Sequence, residues 1–406
     1  MANKPDILAQ DRGELASLME PLLLSDGYRR RGQLTDLAFD LTQKAAGFRR
    51  SLPAGLHVSI ADLVRSMNCY YSNLIEGHDT HPLEIERALK NEFSQDPRQR
   101  DLQMEAKAHI AVQKWIDDGG LRGGRSLTLP GICEIHRRFC ELLPEELLWV
   151  SEPCAGERRR VVPGALRQND VAVGRHIAVS PGAVVRFLER FERVYRQAGK
   201  AESVIAMAAA HHRLLWIHPF LDGNGRVARL MSHAQVLDSL NSGAVWSVAR
   251  GLARNAQEYK ALLANCDLSR RNELDGRGNL SEEALGAFTE FFLKVCIDQV
   301  NFMESLVQPD RLRARVLLWA EEESRVGGLP AKSGAILEAI LYRGELSRRD
   351  AEAAIGLGER QARRVLSALV AQGVLVSDNQ RAPLRLTFPA RLASRWMPGL
   401  FPEMTS

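Results

Sequence analysis

The chain has 406 residues, 45% hydrophobic and 26% charged, an ordinary soluble composition with length for two or three domains. A formal charge of +4 is too weak to imply nucleic acid as a partner, and no apolar run approaches the roughly 18 residues of a membrane helix, so no membrane contact is expected. The N-terminus lacks an apolar h-region, and the six cysteines (69, 133, 140, 154, 266 and 296) form no C-x-x-C pair, so neither a zinc ribbon nor a disulfide framework is indicated and a reduced, cytoplasmic protein is expected.

Helical periodicity dominates. The first thirty residues end in Tyr28-Arg29-Arg30-Arg31, read as a solvated lead-in. Amphipathic helices follow over 34–50 and 59–77, the second with Leu63, Met67, Tyr70, Tyr71 and Leu74 at helical spacing and Gly77 as its stop. Further helices are expected at 83–93, 100–118 and 128–142. Residues 156–182 differ: Arg159–Val162, Pro163-Gly164 and Val171–Gly174 suggest a short β-hairpin and loop. Helices then fall at about 183–198, 201–217, 225–240, 254–266 and 281–306. Pro309-Asp310 reads as a boundary. Beyond it, helices at 333–342, after Ser347 and over Glu359–Gln372 precede a hairpin of 373–376 with 384–387, the order of a winged helix.

Residues 218–229 carry the chemistry. His218 is a candidate general base, Asp222 a candidate Mg²⁺ ligand, and Gly223-Asn224-Gly225 a turn that brings backbone N–H groups close to phosphate at a helix start. Arg226 and Arg229 are three residues apart on one helical face and suit β- and γ-phosphate oxygens. These two cations should also disfavour imidazolium at His218. Phe220 reads as an apolar anchor. The bland alternative is a glycine-rich helix start with an incidental histidine and salt-bridging arginines. His211 and His218 are two turns apart, roughly 10 Å, too far to share one ion, so His211, His212 and His233 read as core or supporting residues.

The run from His218 to Arg229 matches H-x-F-x-D/E-G-N-G-R-x-x-R at all eight specified positions, and in this the chain resembles the Fic-domain family over roughly residues 60–300. The resemblance implies a mainly α fold, a Fic helical core with a small β-hairpin flap, joined here to a C-terminal winged helix-turn-helix domain. It also implies transfer of AMP from ATP to a hydroxyl of a target protein, with release of pyrophosphate. Ser72-Asn73-Leu74-Ile75-Glu76-Gly77 resembles the family's inhibitory pattern, S/T-x-x-x-E-G/N. Ser72 and Glu76 share a face, and a Glu76–Arg229 pair would take the arginine from the γ-phosphate. The alternative is an exposed terminal glutamate, in a place where the helix dipole disfavours an anion. Val171, Ala172, Val173 and Gly174 correspond to the family's target-docking flap, against an ordinary surface hairpin. Tyr259 and Asn265 lie where the family often places adenine or ribose contacts.

The expected division is 1–110 (N-terminal helical region with the inhibitory helix), 111–306 (Fic core) and 310–406 (winged-helix-like unit). Arg360, Arg363 and Arg364 allow DNA contact through residues 331–390, while Glu359 and the modest charge favour protein docking. Hydrophobic helix faces are compatible with a homodimer. Alternatives to a self-inhibited, Mg²⁺-dependent protein adenylyltransferase are an enzyme that removes AMP, another nucleotidyl transfer, or a DNA-binding regulator whose core senses nucleotide or modifies itself.

Overall fold

A computed structural model describes residues 9–151 and 158–402. Its helices and strands are, in chain order, α1 (Arg31–Ser51), α2 (Ala54–Ile75), α3 (Pro82–Leu89), α4 (Pro97–Asp117), α5 (Leu129–Glu141), β1 (Trp149–Ser151), β2 (Arg158–Arg160), β3 (Ala172–Val173), β4 (His176–Ile177), α6 (Val184–Arg196), α7 (Lys200–Ile217), α8 (Asn224–Leu240), α9 (Val248–Arg254), α10 (Ala256–Cys266), α11 (Glu282–Leu306), α12 (Pro309–Arg325), α13 (Ser333–Arg343), β5 (Glu345–Leu346), α14 (Asp350–Ile355), α15 (Glu359–Ala371), β6 (Leu375–Val376), β7 (Leu384–Leu386) and α16 (Ala393–Trp396). The fold is mainly α, as the periodicity indicates. Among the described residues no helix is long and apolar enough to cross a membrane, and Cys154 lies outside them.

The centre is α7 packed on α8, with α11 behind α7 and against α1 and α9. Both central helices are almost wholly buried: α7 hides Val204 to Leu214 and α8 hides Arg226 to Val236. Their buried polar side chains are partnered inside the protein, His211 with Ser232, Arg229 with Glu76 and His233 with Asp117, so neither helix needs a broad solvated face. Helix α2 sits on α4 and α9, and residue 110 falls inside α4.

Several local expectations change. The lead-in is not merely solvated: Arg29 pairs with Glu283, Arg30 with Glu290 at 2.8 Å and Arg31 with Glu202, tying the N-terminal segment to α11 and α7. Residues 158–160 do not pair with 171–174. They pair with 149–151, while Ala172 and Val173 form a separate two-residue hairpin with Ile177 and His176. At the boundary expected near Pro309, α11 ends at Leu306 and Pro309 opens a further helix, α12, where its missing N–H costs no helical bond. The expected 254–266 helix is preceded by α9 and broken at Asn255, whose φ of −117° and ψ of 34° are not helical.

In the C-terminal unit the strand order is β5-β7-β6, all antiparallel, with Leu346, Leu375, Leu384 and Leu386 buried beneath the helices.

Candidate active site

Helix α7 ends at His218, which adopts a left-handed conformation (φ 51°, ψ 63°). Few residues other than glycine adopt that region, and histidine is among those that tolerate it. The ring's Nδ1 donates to the Leu215 carbonyl at 3.2 Å. A carbonyl only accepts, so the proton sits on Nδ1 and Nε2 is the basic nitrogen. Burial pushes the His218 pKa down to about 4, opposed by the bond to Leu215 and assisted by the charge of Arg167. The neutral imidazole expected from the sequence is present, but its cause is burial first and Arg167 next rather than Arg226 and Arg229.

The loop is held by its own side chains. Asn224 spans it in both directions, accepting from Phe220 N–H at 3.0 Å and donating to the Phe220 carbonyl at 2.9 Å. Phe220 is fully buried and stacks on His136 with ring centroids 3.9 Å apart. His136 is fixed in turn, accepting from Gly164 N–H at 2.9 Å. Gly223 caps α8 with a φ of 79° and no side-chain hydrogen bond, which leaves the first-turn N–H groups of a 17-residue helix without a side-chain cap. Asp222 is exposed at the lip of this anion-binding end. Among the described residues no three His, Cys, Asp or Glu side chains form a ready-made metal cage. One exposed carboxylate beside a helix N-terminus would nonetheless suit Mg²⁺, which commonly takes its other ligands from substrate phosphate and water.

Both arginines are buried and already engaged. The Arg229 Nη2 meets Glu76 Oε1 at 2.5 Å, its Nε donates to Ser72 Oγ at 2.8 Å, and Nη2 also reaches the Ser72 carbonyl at 3.2 Å. Glu76 caps α2, where Gly77 (φ 87°) completes a Schellman turn: Gly77 N–H donates to Leu74 O and His78 N–H to Asn73 O. Burial raises the Glu76 carboxyl pKa, but the attraction of Arg229 outweighs it and the net shift is downward, to a carboxylate at neutral pH. Arg226 pairs with buried Glu105, lies 3.2 Å from His78 Nδ1 and stands 5.3 Å over the Phe139 ring. Burial brings its pKa down to about 10.

Nothing in the sequence pattern singles out Arg167. It is buried, and its guanidinium donates to the carbonyls of His218 (2.7 Å), Asn169 (2.9 Å) and Val179 (2.5 Å), with a longer contact to Ile217 (3.4 Å). Its own N–H donates to Pro219 O at 3.0 Å. One planar fork thus joins both feet of the 171–178 hairpin to the turn that presents His218. His176 of β4 adds a bond from Nε2 to the Trp216 carbonyl at 2.7 Å. The hairpin leaves Val173 and Ile177 exposed at its tip.

Of the remaining expected residues, Tyr259 lies beside Arg229, whose charge opposes the upward shift that burial gives its hydroxyl. Tyr259 is buried and its hydroxyl bonds to His211 Nε2 at 2.8 Å, while His211 Nδ1 bonds to Ser232. Asn265 is exposed near the end of α10. His212 and His233 are buried against Asp267 and Asp117.

The helical scaffold thus presents a histidine with a basic Nε2, a helix start without a side-chain cap and two buried arginines around one loop, an arrangement suited to an anionic ligand. A solved Fic family protein from Desulfovibrio desulfuricans G20 shares this fold, with a TM-score of 0.51 at 17% identity over 89% of this chain and 97% of that one. Residues 126–236, which include the His218–Arg229 loop, match the model of the Fic/DOC family. The chain is similar to the protein adenylyltransferase Fic of Drosophila erecta, 26% identical over 246 residues that cover 58% of this chain and 46% of that one. With the corresponding protein of Drosophila mojavensis it shares 31% identity over 170 residues, 41% of this chain and 31% of the other. The chain therefore spans less than half the length of these relatives.

Proposed function

We propose that the protein transfers AMP from ATP to a Ser, Thr or Tyr hydroxyl of a target protein and is held inactive by Glu76. The observation that carries this reading is His218, anchored through Nδ1 with Nε2 as its basic nitrogen, beside the uncapped start of α8. Nε2 takes the proton of the incoming hydroxyl as its oxygen attacks the α-phosphorus; the bond to the β-phosphate bridging oxygen breaks and pyrophosphate leaves. The N–H groups at the start of α8 stabilise charge on the phosphate oxygens. Mg²⁺, held by Asp222 together with phosphate oxygens, would offset the charge of the leaving group. Arg229, once free of Glu76, binds the γ-phosphate, and the 171–178 hairpin aligns the target by main-chain pairing. The names of the similar Drosophila proteins support the same reaction.

Incubation with labelled ATP and Mg²⁺ tests this. Wild type should label itself weakly, Glu76→Gly strongly and His218→Ala not at all. Equal labelling of wild type and Glu76→Gly would sink the inhibition; silence in all three, with UTP, GTP and CDP-choline also tried, would favour a binding role. A second reading, removal of AMP, draws on Glu76 being ionised with about a third of its side chain exposed, so that it can orient a water; release of AMP from a pre-labelled protein by wild type but not Glu76→Gly would support it.

For the C-terminal unit we infer a winged helix whose α15 face docks a macromolecule. Arg360, Arg363 and Arg364 are exposed there, but Glu359 pairs with Arg363, which favours a protein partner over duplex DNA. Salt-sensitive duplex binding by the intact protein would reverse that preference.

A further inference from the structure

The last described residues leave the C-terminal unit and cross the helix that bears Glu76. Trp396 is fully buried against Trp319 of α12, ring centroids 5.1 Å apart at 79°, which fixes where the segment departs. Arg250 of α9 then donates to the Gly399 carbonyl at 2.7 Å and to the Leu400 carbonyl at 3.4 Å. The Tyr71 hydroxyl donates to the same Leu400 carbonyl at 2.9 Å. Phe401 stacks on Tyr71 (6.4 Å, 12°) and meets Tyr70 edge-on (5.4 Å, 89°). Arg250 is itself held by Gln299 at 2.9 Å and lies 3.6 Å over the Phe302 ring, so the surface that receives the segment is braced by α11.

Tyr70 and Tyr71 immediately precede Ser72. Arg229 therefore grips α2 on the face of Ser72 and Glu76, while the C-terminal segment grips the same turns from the side. Two further contacts hold α2 and its continuation to this unit. The Gly344 carbonyl approaches Gly55 so closely that a Cβ there would stand 2.4 Å from it, and Ala390 N–H donates to Glu86 of α3 at 2.8 Å. A carboxylate at a helix C-terminus opposes the macrodipole, and terminal turns fray readily, so the pair with Arg229 needs its helix end held from outside.

We propose that residues 396–401 form a strap that holds the last turns of α2 in the inhibitory position, making the C-terminal unit a regulator of the active site. The proposal rests on the transfer reaction and Glu76 inhibition set out above. Displacing the strap frees the end of α2, Glu76 leaves Arg229, and the arginine becomes available to ATP.

The sign of the effect separates regulation from packing. Removing a contact that only stabilises the fold lowers activity; removing this one should raise it. Phe401→Ala and a chain ending at Pro398 are compared with the full chain, with Glu76 present and with Glu76→Gly, by the rate of AMP incorporation and by hydrogen exchange over residues 70–77. Phe401→Ala should raise labelling several-fold and the shortened chain should approach Glu76→Gly. Neither should add to the rate once Glu76 is gone, and amide exchange at 72–77 should quicken in both. Unchanged or reduced labelling while Glu76→Gly is active overturns the strap, as does a gain that persists without Glu76. Silence of Glu76→Gly would instead break the transfer reading; the exchange measurement then still decides, since unaltered protection of 72–77 in Phe401→Ala overturns the strap.

Discussion

Glu76 lies against the backbone of Gly225: a Cβ added at residue 225 would stand 2.2 Å from Glu76 Oε1 and 3.1 Å from Arg229 Nη1. The glycine at the start of α8, which under the proposed function would let phosphate approach, is thus also the one that leaves room for the Glu76 carboxylate. Under the proposed reaction, Glu76 and the nucleotide would compete for one volume and one guanidinium, an anion within the chain standing where an anion of the substrate would bind.

Ser72 makes the grip on Arg229 two-sided, accepting from Nε while Glu76 takes Nη2. Ser72→Ala removes a hydrogen bond to a charged group, worth about 1.5–3 kcal/mol in a typical protein. Glu76 remains, so self-labelling should lie between wild type and Glu76→Gly, roughly tenfold above wild type if about 1.4 kcal/mol of the difference reaches the locked state alone. Initial rates of AMP incorporation at fixed ATP check this; a rate at or below wild type would show that Ser72 does not stabilise the lock.

Arg167 is a positioning residue in this geometry, since it touches backbone carbonyls on both sides of the flap and at the His218 turn. In a Glu76→Gly background, Arg167→Ala should lower transfer on the order of a hundredfold, because a displaced base loses its alignment. ATP affinity, set by α8 and its arginines, should change little. Arg167→Lys should recover only a small part, since one ammonium cannot reproduce a planar fork. Calorimetry for ATP beside initial rates separates the two effects; equal losses of both would mean general damage.

What could be read from the sequence was what is contiguous. His218, Phe220, Gly223 and Arg229 lie within twelve residues, and Ser72, Glu76 and Gly77 within six, so each short run could carry the family resemblance that implied their roles. Glu105 with Arg226 and Arg167 with His218 are far apart in the chain, and a single buried glutamate or arginine carries no periodic signal. The flap was legible as turn chemistry, but its pairing was not: β1 ends before residues 152–157 and β2 follows them, and short strands leave register weakly specified. Helix α12 was missed because Pro309 serves equally as a stop and as a first helical residue.

The acidity of His218 predicts a flat pH profile. A histidine with the ordinary pKa near 6.5 would be about three-quarters protonated at pH 6. With a pKa of about 4, His218 stays almost wholly neutral there. Transfer by Glu76→Gly should therefore change little between pH 8 and pH 6 on this group's account. A fall with a midpoint near 6.5 in kcat/KM would show that the base titrates normally.

Acid should unfold the protein earlier than its carboxylates alone would require. Burial holds His109 and His211 to about 3 and His136, His212 and His218 to about 4, against an ordinary value of 6.5. Each is neutral in the folded chain while its unfolded counterpart takes up a proton as pH falls through 6.5. The unfolded state thus binds more protons in this window, and stability drops with decreasing pH by up to about 1.4 kcal/mol per unit per histidine until the folded pKa is reached. The carboxylate of Glu76 acts in the same direction but later: its folded pKa is lowered, so its contribution is full above the ordinary carboxylate value and fades below it. Thermal melts from pH 8 to pH 5 should show Tm nearly constant at first and falling steeply below about 6.5. His109→Gln should flatten that slope, because it removes one of the groups that must stay uncharged in the core. A melting temperature insensitive to pH down to 5 would show that these imidazoles are hydrated or already charged in the folded protein.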